Sequence, residues 1–354
     1  MGAHRHLFMT IQVVVSLDLV GNVRSESGVK QLDIFIRKQV AADEFSGCVL
    51  VAQDGEPIFR KAYGFASKRF SVPNRIETKF NLGSCNKIFT KVAILQLAEH
   101  GKLSLEDFIS KHLPNYPSHV ADKVTINHLL SHTSGMGHYW NERFEASKHR
   151  LRTVDDFLNL FIDDPLSFEP GKKAQYSNAG YVVLGKIIEA SSGQDYYDYV
   201  RKRIYKPAGM NDSDHYEMDV PTPNLATGYT KMDEKGQLLK GPRRSNVFHI
   251  GVKGSPAGGG YSTADDMLKF CTALRGHRLL NPKYTELVLQ PTRARTAEEA
   301  KPRHFGHAGG APGVGAIFKM YLDLDYISVV LSNYDPDAMW TIDKKIEDMI
   351  LRMH

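Results

Sequence analysis

Two strand pairs sit at opposite ends of this chain, and that placement limits the folds open to it. Near the start, "VLVAQDGEPIFRKAY" reads as two strands joined by Asp54-Gly55, a dipeptide suited to the positive φ angles of a tight hairpin. Near the end, "GVGAIFKMYLDLDYISVVLSN" reads as two more, turning at Asp323 to Asp325. A helix borders each pair. "SGVKQLDIFIRKQVAADE" places Val29, Leu32, Phe35, Ile36 and Val40 at helical spacing, to about Ala42, and "DAMWTIDKKIEDMILRM" closes the chain as another helix.

Between these ends the pattern is mostly helical. The stretch from Ser84 carries Ile88, Phe89, Val92, Ala93 and Leu95 on one face, with Gly101 placed to end it. Further helices are expected at about 104–112, 125–132, 153–162, 178–192 and 195–205. Residues 220–260 are rich in Gly, Pro and polar side chains. "STADDMLKFCTALRG" then returns as a helix capped by Ser262 or Thr263. No internal repeat or low-complexity run interrupts this order. The simplest packing is an α+β arrangement: one antiparallel sheet covered by the terminal helices, with the helical block inserted as a second lobe. The expected division is a leader over 1–28 and a single catalytic domain over 29–354. Its sheet lobe spans about 29–80 and 245–354, and its helical lobe about 81–244. A cleft between two such lobes is the natural place for a site.

At 354 residues the chain is long enough to bury a substantial core without staples. A net charge of +5, from 45 basic and 40 acidic residues without a long single-sign run, does not point to nucleic acid. Cys48, Cys85 and Cys271 form neither a CxxC pair nor a disulfide framework. The opening "MGAHRHLFMTIQVVVSLDLVG" has a basic start and an apolar stretch from Leu7 to Val20, which suits an export signal. Asp18 interrupts that stretch and no clear cleavage site follows, so export and cytoplasmic residence stay equally open.

"FNLGSCNKIFT", residues 80–90, puts Lys87 three positions after Ser84. On a helix the two share a face. Backbone N–H groups at the helix start can hold developing negative charge, and the same positive end disfavours a charged lysine. Burial lowers a lysine pKa further, and a neutral lysine can deprotonate a serine. Alone, such spacing also occurs on ordinary surface helices. "EPGKKAQYSNAGYVVLG" adds Tyr176, a second proton carrier, and Asn178, which can bond both lysine and substrate or simply cap a helix. In "HFGHAGGAPGVGAIFKMYL", His307, Ala308, Gly309 and Gly310 lead into a strand. Glycines there allow a ligand close to the edge backbone, and a following N–H suits an oxyanion; a plain glycine-rich turn explains the composition equally well.

Together these stretches resemble the serine β-lactamase and penicillin-binding-protein-like hydrolases, the class C, esterase and D-aminopeptidase branch in particular. "TINHLLSHTSGM", "KPAGM" and "GGGYSTADDMLKF" extend the likeness in family order over roughly residues 30 to 350. The resemblance implies a β-lactamase-like fold and a covalent mechanism. Ser84 would attack an acyl carbon, Lys87 with Tyr176 would move its proton to the leaving group, and the N–H groups of Ser84 and Gly310 would hold the oxyanion. Asn178 would position Lys87 and substrate, and water would cleave the acyl-enzyme. No cofactor or metal is implied, and the expected partner is a small ester, amide, D-amino-acid peptide or β-lactam, without nucleic acid or an obligate protein.

One position departs from the family. Its β-lactamases usually carry Lys-Thr-Gly where this chain has His307-Ala308-Gly309. A histidine, with an ordinary pKa of about 6.5, is mostly neutral at pH 7, so recognition of a substrate carboxylate should be weaker. The sequence therefore favours an esterase or D-amino-acid amidase or peptidase. A class C-like β-lactamase is the first alternative. A penicillin-binding protein, a non-hydrolytic binding module or a transacylase on the same scaffold is the second. His128 and His132, four apart, have zinc-like spacing but no third ligand in the sequence pattern. There is neither a GxSxG elbow nor a GxGxxG turn. Tyr139 and Trp140 are candidates to line the cleft against an apolar acyl group, or to sit on a surface loop.

Overall fold

The computed structural model describes residues 27–233, 236–290 and 303–353. The possible export segment therefore lies outside the described residues, as does the rest of the expected 1–28 leader except Ser27 and Gly28, which begin helix α1 (27–41).

Five strands form one antiparallel sheet. In chain order they are β1 (Gly47–Gln53), β2 (Glu56–Tyr63), β3 (His304–Ala311), β4 (Val314–Tyr321) and β5 (Tyr326–Ser332), and in space they run β2-β1-β5-β4-β3. The N- and C-terminal strand pairs meet where β1 pairs with β5, in a register from Gly47 opposite Ser332 to Gln53 opposite Tyr326. The hairpin residues take the conformations their chemistry allows. Asp54 and Gly55 both have positive φ, 52° and 83°, and Asp325 turns the second hairpin at 54°.

Side chains alternate across the sheet, and both faces are covered. Val49, Val51, Ile317 and Val330 pack under α1 and the C-terminal helix α5 (Pro336–Met353). Leu32 and Ile36 of α1, and Ile342, Ile346 and Ile350 of α5, are wholly buried at four-residue spacing. Each such side chain contributes about 2 kcal/mol by leaving water. Cys48, Leu50, Ala316, Phe318 and Leu331 point the other way, against α2 (Lys87–Glu99) and α4 (Ala264–Arg275). Phe89 of α2 and Phe270 of α4 meet edge to face, with centroids 5.0 Å apart.

The inserted block is less helical than its pattern predicts. α3 (Asn178–Ser192) matches the expected helix in full, opened by the Ser177 hydroxyl accepting from Gly180 N at 2.9 Å and closed by Gly193 at φ 69°. The helix expected at 195–205 also forms, as Tyr196–Val200 continued by a π-helical segment, Arg201–Tyr205, while the others shrink to Ile109–His112, Ile126–Leu130 and Val154–Leu158. Local side-chain bonds take over from the helical ladder at their ends. Ser104 N donates to Asp107 Oδ2 at 2.8 Å, which makes a turn of the first expected turn of helix. Thr125 with His128, and Thr153 with Asp156, form reciprocal caps that fix two short helices at their starts.

Candidate active site

Ser84 sits in a tight 3₁₀ turn, Gly83–Asn86, ahead of α2 rather than inside it, and Lys87 is the first residue of that helix. Gly83 enters the turn at φ 48°. Its amide donates to Asn81 Oδ1 at 2.8 Å, and its carbonyl accepts from Gly259 N at 3.2 Å. The turn is thus pinned from two sides of the chain.

Strand β3 lies against this turn. A Cβ on Gly309 would stand 2.5 Å from Ser84 N and 2.6 Å from Cys85 N, so only glycine lets the strand edge approach the serine. A Cβ on Gly83 would in turn stand 2.9 Å from Gly310 N. The backbone nitrogens of Ser84 and Gly310 therefore both lie beside the contact between the Gly83 turn and β3.

Lys87 is 2% exposed, and burial pushes its pKa down to about 7. Its Nζ donates to Asn178 Oδ1 at 2.7 Å and to the Ala257 carbonyl, and lies 3.3 Å from Ser84 Oγ. Both carbonyls can only accept. A neutral amine has two N–H groups and one lone pair, so satisfying both carbonyls turns the lone pair toward Ser84. Tyr176 O–H donates to Ser84 Oγ at 2.7 Å, and burial raises its pKa, which keeps the phenol protonated. With the tyrosine donating, the serine proton is free to point at Lys87. The alternative role of Asn178 as a helix cap falls to Ser177, and Asn178 is left buried with its amide turned to the lysine.

Four of the residues singled out in the sequence, Ser84, Lys87, Tyr176 and Asn178, thus meet within hydrogen-bond reach, and Gly309 and Gly310 stand beside them. His307 does not join this network. Its ring stacks on Phe318 with centroids 6.1 Å apart and meets Phe305 edge-on at 5.3 Å. Burial, then the charges of Lys91 and Lys87, push its pKa down to about 3. The imidazole is held in its neutral form near pH 7. Cys85, beside the serine, donates its thiol to the His307 carbonyl at 2.9 Å inside the core; burial raises its pKa, so it is no rival nucleophile.

His128 and His132 are occupied structurally: His128 Nδ1 accepts from Thr125 N and His132 Nδ1 from Ser177 N, each at 3.2 Å. Among the described residues no group of three His, Cys, Asp or Glu could hold a metal ion. Sequence reasoning missed two partners of the network. The Ala257 carbonyl leaves no letter in a sequence, since every residue has one. His138, whose Nδ1 lies 3.2 Å from Asn178 Nδ2, follows the "HTSG" stretch closely enough to have drawn notice.

A cavity of about 740 Å3 opens from Ser84 and Asn178. Tyr139 and Trp140 both line it. Tyr139 is buried and Trp140 is 57% exposed at the mouth.

The family model described as Beta-lactamase matches residues 32–346. Penicillin-binding protein 4* of Bacillus subtilis (strain 168) is 30% identical over 316 residues, covering 83% of this chain and 69% of its own length. Esterase EstB of Burkholderia gladioli is 31% identical over 320 residues, covering 82% and 76%. The crystal structure of a penicillin-binding protein from Bacillus halodurans superposes with a TM-score of 0.77 at 32% identity, covering 88% of this chain and 99% of that one.

Proposed function

The chain belongs to the beta-lactamase family, and on that premise we propose that Ser84 is the nucleophile of a serine hydrolase that cleaves esters or amides through an acyl-enzyme. The observation that carries this reading is the double commitment of Lys87 to Asn178 Oδ1 and the Ala257 carbonyl, which leaves its lone pair for Ser84.

In the proposed reaction Ser84 Oγ bonds to the acyl carbon and its proton passes to Lys87 Nζ. The carbonyl oxygen, now negative, sits between the N–H groups of Ser84 and Gly310. As the tetrahedral intermediate collapses, the bond to the leaving alcohol or amine breaks. Tyr176 protonates the departing atom and regains a proton from Lys87, both groups standing within reach of Ser84 Oγ, at 2.7 Å and 3.3 Å. A water then attacks the acyl-enzyme by the same path in reverse order, releasing the acid and restoring Ser84.

The uncharged His307 supports an esterase or amidase over a β-lactamase. A β-lactam carries a carboxylate, and the residue standing in the usual lysine position has no charge to offer it. The test is hydrolysis of a short-chain nitrophenyl ester and of a chromogenic cephalosporin by wild type and Ser84→Ala. Ester turnover that depends on Ser84, with little cephalosporin turnover, is the expected result. Fast cephalosporin turnover would overturn the preference, and unchanged ester turnover by Ser84→Ala would overturn the assignment.

A further inference from the structure

The cavity beside Ser84 has a chemistry of its own. Tyr139 lines it, with ring centroids 5.5 Å from Phe157, 5.7 Å from Phe144 and 6.2 Å from Trp140. The one polar atom of the Tyr139 side chain bonds Ser255 Oγ at 2.9 Å, so the ring presents only its apolar body. Met218 and Met232 also line the space, and thioether side chains adapt to varied apolar shapes. Two lysines reach the wall, and both are matched by carboxylates: Lys253 to Glu217 at 3.1 Å and Lys148 to Glu145 at 2.5 Å.

We propose that this cavity is an acyl pocket for large, apolar, uncharged acyl groups, such as medium-chain aliphatic or arylalkyl acyl groups. The volume exceeds what an acetyl group fills, the aromatic cluster and methionines favour hydrocarbon, and the paired lysines leave no reward for an anionic acyl tail. The proposal rests on Ser84 being the acylated residue.

The experiment compares nitrophenyl acetate, butanoate, octanoate and 4-phenylbutanoate with the nitrophenyl hemiester of glutaric acid. The expected kcat/KM rises at least about tenfold from acetate to octanoate. The hemiglutarate falls about tenfold or more below butanoate, because its carboxylate loses water without gaining a partner. Trp140→Glu, at an exposed rim position, lowers the ratio of octanoate to acetate kcat/KM. Preference for acetate, or equal turnover of the hemiglutarate, overturns the proposal. Calorimetry of octanamide and acetamide binding to Ser84→Ala separates pocket from chemistry. Tighter octanamide binding supports the pocket even if no ester is turned over, and equal binding overturns it even if esters are.

A separate observation gives His138 a positioning role. Its Nδ1 lies 3.2 Å from Asn178 Nδ2, which can only donate, so Nδ1 accepts. The Asn178 amide is thereby held at both ends: nitrogen to His138, oxygen to Lys87 at 2.7 Å. We infer that His138 keeps that amide from flipping and presenting N–H groups to the amine. His138 is exposed, so substitutions there spare the core. His138→Leu should lower kcat about tenfold with KM little changed, and His138→Gln, which supplies a carbonyl acceptor, should restore most of it. Wild-type kcat in His138→Leu, or no recovery in His138→Gln, overturns the assignment.

Discussion

Lys87 Nζ donates to Asn178 Oδ1 at 2.7 Å, joining residues 91 positions apart on the first turns of two different helices. The two helices pack against each other, so the bond is held by the core as well as by its own energy. Removing either partner leaves a buried polar group without its match, which costs roughly 1–3 kcal/mol.

Turnover should depend on pH through Lys87. The amine must be neutral to accept the serine proton, so kcat/KM should rise with pH through about 7 and level off above. One unit below that midpoint, activity should be about tenfold under the plateau. A pH–rate profile on a neutral ester checks this.

The same titration enters stability with a definite sign. The pKa of Lys87 falls from an ordinary 10.5 to about 7 on folding. Between those values the unfolded chain holds a proton that the folded chain lacks, so stability gains with rising pH across that window. The cost of burying the charge is greatest below pH 7. Urea melts of wild type and Lys87→Met at several pH values should show this slope in wild type and its loss in the variant.

Ser84→Ala should abolish turnover, by about 10³-fold or more, with the melting temperature within a few degrees of wild type. Lys87→Met should come close to the same loss. Burst kinetics on a nitrophenyl ester would show whether the acyl-enzyme still forms in either.

Gly309→Ala should damage both folding and catalysis. The added methyl would meet Ser84 N at 2.5 Å and the Leu82 carbonyl closer still, all backbone that cannot swing aside. A destabilisation of about 1–3 kcal/mol and a large fall in kcat are expected, read by melts and initial rates.

His307→Asn should leave the acidic side of the pH profile unchanged, because an imidazole pushed to about 3 does not titrate in the working range. His307→Lys should improve kcat/KM for a carboxylate-bearing ester relative to its neutral analogue. An unchanged ratio would remove His307 from any account of substrate charge.

The sequence by itself determined four of the five strands, the terminal helices, α3 and the choice of Ser84, Lys87, Tyr176 and Asn178 as candidates, because each follows from local chemistry; the glycine-rich edge strand β3 was not expected from it. Two-residue alternation, four-residue spacing, an Asp-Gly turn and a Ser-x-x-Lys pair are all written within a few positions of chain. The helix at 104–112 was overread for the complementary reason: its apolar spacing is real, but a turn and a side-chain cap win over the helical ladder at its start. Only the tertiary structure decided what surrounds the lysine. The Ala257 carbonyl and the His138 acceptor come from segments far from Lys87 and Asn178 in sequence. Packing, rather than any local pattern, sets their distances, and burial at that meeting point brings the pKa of Lys87 down to about 7.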